Sequence, residues 1–240
     1  MVLAQRTSRQ QIPRNGPPWW RTRYWSTTTW IIVITSAISL IDMFSLGWIS
    51  TWGALSLNGM RHFYLWQIFT FQVLHAGPGH LIFNMLWLYM LGPIVQSMIT
   101  KRQFVTLYII SGVTGGATFL ALQALVPEMA AATLVGASAG IIGTMAAAVC
   151  IAPRMAIRFW FPPVSVQLWI LFVAAILLAL LTIRTGGWNS GGEASHLGGA
   201  LAGFALYKNR RLLGVLSRNN KRSRFWRPGD PATNFFRERP

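Results

Sequence analysis

Apolar residues in this chain come in long runs, not in the alternation of a half-buried strand or the narrow stripe of a surface helix. Runs of about 20 residues, enough to cross a hydrocarbon core as an α-helix, fall roughly at Trp30 to Ile49, Leu81 to Thr100, Phe104 to Val126, Val135 to Ala152, Val164 to Ile183 and Ala194 to Leu213. Each reads as a helix because lipid offers backbone amides no partner, so their hydrogen bonds must close within the segment. The pattern predicts an all-α membrane protein: six transmembrane helices over residues 30–213, with polar tails at 1–29 and 214–240. One connection is unusual. About 30 residues, Thr51 to His80, separate the first two spans, and a loop of that length is functional or disordered. Trp52, Phe63, Tyr64, Trp66, Phe69 and Phe71 within it suit an aromatic belt at head-group level.

Composition agrees with that class. Of 240 residues, 53% are hydrophobic and only 11% charged, against roughly 25% charged in soluble domains, and mean hydropathy is +0.43. The single cysteine, Cys150, excludes an intrachain disulfide. The net charge of +16 would suit nucleic acid or anionic lipid in a soluble protein, so its placement decides. Nineteen of the 21 lysines and arginines fall on one side of the alternating spans, leaving Arg61 and Arg184 on the other. By the positive-inside rule both termini are expected in the cytoplasm, in a cell (inner) membrane. An organellar inner membrane is the alternative, since residues 1–29 lack acid as transit segments do, although Pro13, Pro17 and Pro18 spoil an amphipathic helix. The tails read as disordered and are expected to touch anionic head groups. No groove-reading motif accompanies the charge, so nucleic acid is not an expected partner, and oligomeric state does not follow from the sequence.

Polar side chains at membrane depth are expensive, which makes each a functional candidate: Asp42, His75, His80, Asn84, Gln96, Ser111, Ser138, Glu193 and His196. Aspartyl proteolysis needs two carboxylates sharing a proton, and only Asp42 lies well inside a span. Zinc proteolysis wants HExxH or an equivalent ligand set; His75 and His80 are five apart with no glutamate between, so no metal and no cofactor is expected. A serine mechanism needs a hydroxyl, a base and oxyanion donors, and the parts are present. Ser138 begins the fourth span, His196 the sixth, and His80 and Asn84 share a face one turn apart at the start of the second. Alternation brings all three starts to the outer side, at similar depth. Gly136, Gly140 and Gly143 in the fourth span, with Gly199 and Gly203 in the sixth, form small-xxx-small faces that let membrane helices pack backbone to backbone. A channel or transporter finds no support, for there is no visible inverted repeat and no chain of ionisable residues through the centre.

"WQIFTFQVLHAGPGHLIFNMLWLYMLG" (Trp66 to Gly92), "GASAGIIG" (Gly136 to Gly143) and "ASHLGGALAG" (Ala194 to Gly203) resemble, in order, the three signature regions of the rhomboid intramembrane serine proteases. The resemblance covers the six-helix core and implies a six-transmembrane-helix rhomboid-like bundle. It implies Ser138 as nucleophile and His196 as general base, a dyad without aspartate. Asn84 and His80 resemble the oxyanion-hole side chains, joined by the Ser138 N–H; His75 matches a position that orders the loop entering the second helix, and Gly199 the glycine that admits close packing of the fourth and sixth helices. Substrates would be transmembrane helices of other proteins, cut near their outer end. A catalytically inactive relative that binds transmembrane segments as chaperone or retention factor is the alternative. The chain departs from the family at three places: Ala139 and Gly140 stand in the reverse of the usual order, Ile142 replaces a common aromatic that stacks on the histidine, and Gln96 stands where an acid is common. Asp42 is expected to pair with a hydroxyl or amide. Glu193 is expected to accept N–H groups at the start of the sixth helix; three residues before His196, it could instead reach the imidazole and make a triad.

Overall fold

The computed structural model describes residues 26–129, 131–159, 163–187 and 189–216; most of the two basic tails lies outside them. α1 (Thr27–Phe44) is started by Ser26, whose hydroxyl accepts the Thr29 N–H at 3.1 Å. It stops five residues before the expected Ile49, because Leu46 and Gly47 take positive φ, 57° and 79°. Hydropathy misses this end, since the residues that follow are equally apolar. Asp42 finds the expected partners here: its buried carboxylate accepts the Ser50 N–H at 2.9 Å and the Ser50 hydroxyl, locking the turn into α2 (Trp48–Gly53).

The long loop is folded into α2, α3 (Leu57–Arg61), α4 (Gln67–Thr70) and a 3₁₀ turn at Phe71–Val73. Trp52, Phe63, Trp66 and Phe69 are exposed, as a belt requires, but Phe71 is wholly buried against Leu55, Phe119 and Leu134, so it belongs to a core and not to the belt.

Pro78 pre-sets the first turn of α5 (Pro78–Gln96), and a Thr100–Gln103 capping box opens α6 (Lys101–Leu125). Gln96 donates to Thr28, and Gly92 lets Thr28 approach, which fastens α1 to α5. α7 (Ser138–Ile151) has 14 residues, about 21 Å at 1.5 Å per residue, against about 30 Å of hydrocarbon. The expected span from Val135 is therefore helical only from Ser138. A helix of that length falls short of a full crossing.

After α7 the chain makes a small antiparallel hairpin, β1 (Ala156–Arg158) with β2 (Ser165–Gln167). The expected fifth span loses its first residues to this hairpin, and α8 runs from Leu168 to Thr185, ended by left-handed Gly186. α9 (Ser190–Lys208) completes the six. The chain breaks at Asn209 and continues in α10 (Arg210–Leu216), which takes in residues 214–216 that composition assigned to the tail. Four of these helices, α1, α5, α6 and α8, are long and apolar enough to span; α7 is short and α9 is rich in glycine. α9 sits against both α6 and α7, while α8 leaves Leu177, Leu178, Leu180 and Leu181 exposed. In a bilayer those leucines face lipid.

Candidate active site

Ser138 is the first residue of α7, so its N–H and those of Ala139 and Gly140 have no partner within the helix. The chain leading to it is held by the long loop. Leu134 exchanges backbone bonds with Leu55, the Gly136 N–H donates to the Phe71 carbonyl at 2.9 Å, and the Ala137 N–H points at His75 Nε2, 3.4 Å away. Gly136 is required twice over. Its φ is +131°, and a Cβ there would stand 2.8 Å from His80 Cε1. The same point is 3.9 Å from Ser138 Oγ, so Gly136 is the spacer between the His80 ring and the hydroxyl.

His75 lies between Ser39 of α1 and the turn before Ser138. Ser39 on α1 gives its hydroxyl proton to the Val73 carbonyl at 2.9 Å, and so accepts from His75 Nδ1–H, also at 2.9 Å. That fixes the neutral tautomer whose Nε2 accepts from Ala137. Burial, then the neighbouring His80, pushes the His75 pKa down to about 3, consistent with an imidazole that never charges near neutral pH. With both nitrogens committed to protein partners, His75 is not free to ligate a metal. His80 packs edge-on against it, ring centroids 5.0 Å apart. Asn84 is buried, and its amide donates to the His80 carbonyl at 2.9 Å; an amide nitrogen carries two protons, so one remains for a ligand.

α9 brings in His196. His196 Nε2 lies 2.8 Å from Ser138 Oγ, well within hydrogen-bond range. The approach depends on glycine: a Cβ at Gly199 would be 2.2 Å from the Ala139 carbonyl oxygen, and one at Gly203 would be 2.1 Å from that of Gly143. The Ala139 methyl, a departure from the family pattern, packs toward α6. It is fully buried and lodges against Gly115 of α6, where another methyl would lie 2.5 Å from it.

The expectation for Glu193 is overturned. Its carboxylate Oε2 lies 2.9 Å from His196 Nδ1, both side chains being about one-fifth exposed, and among the described residues no helix-start N–H donates to it. The i, i+3 spacing on one helix face produces this contact. Two links escaped the sequence reading altogether. Ser39 looks like any small residue tolerated in an apolar span, and the Leu55–Leu134 bridge joins two loops that carry no strand pattern. Beside the turn that leads to Ser138 a cavity of about 500 Å³ is lined by Asp42, Ser50, Gln67, His75, Thr133 and Val135, among others.

Chemically, the arrangement sets a hydroxyl against an imidazole that is held on its far nitrogen by a carboxylate, at a helix start with free N–H groups. Comparison with known proteins bears on the family. The family model described as Rhomboid domain matches residues 62–209. The chain is similar to rhomboid protease GlpG of Salmonella choleraesuis (strain SC-B67), of Salmonella paratyphi A (strain ATCC 9150 / SARB42) and of Salmonella typhi. Identity to each is 27% over 90 residues, covering 37% of this chain and 33% of the relative. The match thus spans about a third of the length of these curated relatives.

Proposed function

The chain belongs to the rhomboid family, and from that premise we propose that it is an intramembrane serine endopeptidase cutting transmembrane helices near their outer end. The observation that carries the reading is the 2.8 Å contact between Ser138 Oγ and His196 Nε2, at the start of a helix too short to reach both membrane faces. Ser138 Oγ attacks the scissile carbonyl as His196 Nε2 takes its proton. The carbonyl oxygen becomes an oxyanion that accepts from the Ser138 N–H, the remaining Asn84 amide proton and His80. Collapse breaks the C–N bond, with His196 returning its proton to the leaving nitrogen; water then attacks the acyl-enzyme, again activated by His196.

The substrate is a membrane-spanning segment whose outer end unwinds, because a regular helix hides its carbonyls in its own hydrogen bonds. The protein is an integral membrane protein; both termini face the cytoplasm of a cell membrane, with the basic tails on anionic head groups. The test is cleavage of a single-span substrate in liposomes by wild type, Ser138→Ala and His196→Ala. Cleavage is expected to vanish in both variants. Undiminished cleavage by either sinks the dyad, and substrate binding without cleavage by the wild type favours the binding-protein alternative.

A further inference from the structure

Outside the serine–histidine pair, one carboxylate stands at the site without a role in the chemistry described so far. Glu193 Oε2 is 2.9 Å from His196 Nδ1, on the nitrogen opposite the one that faces Ser138. We infer that Glu193 is a positioning residue that makes the pair a Ser138–His196–Glu193 triad. The inference rests on the endopeptidase reading above and names a residue that the family resemblance leaves out.

Three observations converge on it. The contact fixes the tautomer, since a carboxylate accepts, Nδ1 must carry the proton, and Nε2 is left with its lone pair toward the Ser138 hydroxyl. The carboxylate has little else to do: it is about one-fifth exposed, and the described start of α9 is arranged without it, the Glu193 N–H donating to the Asn189 carbonyl. The third is Ile142. This position offers the imidazole no ring to stack on and packs instead with the main apolar core, so ring orientation must come from elsewhere. Glu193 supplies it from the same helix, one turn away, where the geometry follows α9 itself rather than the packing of two helices.

Its action would be exerted through His196. As the Ser138 Oγ–carbon bond forms, the hydroxyl proton moves to Nε2 and the carbonyl π pair to oxygen, leaving an imidazolium beside Glu193. The carboxylate stays ionised and accepts from Nδ1–H throughout, which stabilises the imidazolium and prevents the ring from flipping. When the C–N bond breaks, the proton leaves Nε2 for the departing nitrogen and the original state returns.

The test compares wild type, Glu193→Gln, Glu193→Ala and Glu193→Asp in liposomes, reading kcat and KM separately, with formate or formamide added to Glu193→Ala. Losing the carboxylate's charge in Gln, and the acceptor altogether in Ala, lowers kcat about 10- to 100-fold, with KM moved less than about twofold. Glu193→Asp keeps more activity than Glu193→Gln, and formate, but not formamide, raises the rate of Glu193→Ala. A kcat for Glu193→Gln within about twofold of wild type, a loss confined to KM, or Gln and Asp variants that behave alike overturns the inference. Should Glu193→Ala not fold, the Gln-against-Asp comparison decides alone. Loss of the triad leaves the enzyme reading intact provided Ser138→Ala is inactive; cleavage by Ser138→Ala fails that reading instead.

Discussion

Replacing Gly199 by alanine tests whether the spacing of α7 and α9 is what assembles the site. The new methyl would lie 2.2 Å from the Ala139 carbonyl oxygen, 2.8 Å from its carbon and 3.1 Å from its Cα. These are backbone atoms of the first turn of α7, one residue past Ser138, and they cannot swing aside as the end of a long side chain can. Ordinary contact between heavy atoms lies near 3.5 Å, so the two helices must part locally by roughly 1 Å. His196 is one turn from Gly199 on the same helix and moves with it. Its 2.8 Å contact with Ser138 would then open toward 3.8 Å, outside hydrogen-bond range. Overpacking of this kind costs about 1–3 kcal/mol of stability, while a misplacement of about 1 Å in a catalytic pair costs on the order of 100-fold in rate. The assay is kcat and KM for a single-span substrate in liposomes, normalised to folded protein measured by thermal unfolding. We expect kcat about 100-fold lower, KM little changed, and a lower unfolding temperature. Wild-type kcat per folded molecule would refute the reasoning, since the close approach would then not be what holds His196 to Ser138.

Gly136→Ala should remove activity more sharply than it removes folded protein, because its φ of +131° disfavours any side chain and the methyl would strike His80; activity within twofold of wild type would contradict this spacer role. Asn84→Ala should lower kcat about 100- to 1000-fold if its amide holds the oxyanion, and a change in KM alone would argue against that role. His75 gives a pH signature in stability. Its folded pKa of about 3 lies below the ordinary 6.5, so the unfolded chain binds the extra proton, and stability is full above about 6.5 and declines as pH falls toward 3. His75→Gln should flatten that decline in a pH series of unfolding measurements; an unchanged slope would show that another group produces it.

Most helices were legible in the sequence because a membrane span has to be a long apolar run, and Ser138 and His196 were legible as a pair because alternation puts the starts of their helices on one side. The rest was hidden for specific physical reasons. α1 ends at Phe44, but Trp48 and Ile49 continue its hydropathy. Two three-residue strands, Ala156–Arg158 and Ser165–Gln167, are too short to show a period. Phe71 has the composition of the aromatic belt but the place of a core residue, because the turn at Phe71–Val73 points it inward to Leu55 and Leu134. Where the Ala139 methyl goes becomes visible only when Gly115 is seen to receive it. Glu193 at i, i+3 from His196 fits both a helix-start acceptor and a partner of the imidazole, and only the side-chain rotamers choose between them.

Fluorophosphonate labelling in liposomes, followed by peptide mapping, decides whether Ser138 is a nucleophile activated by His196. The adduct is expected on Ser138 in the wild type, with a labelling rate at least about 100-fold lower in His196→Ala. An adduct on another residue, or equal labelling of Ser138 with and without His196, would contradict that role.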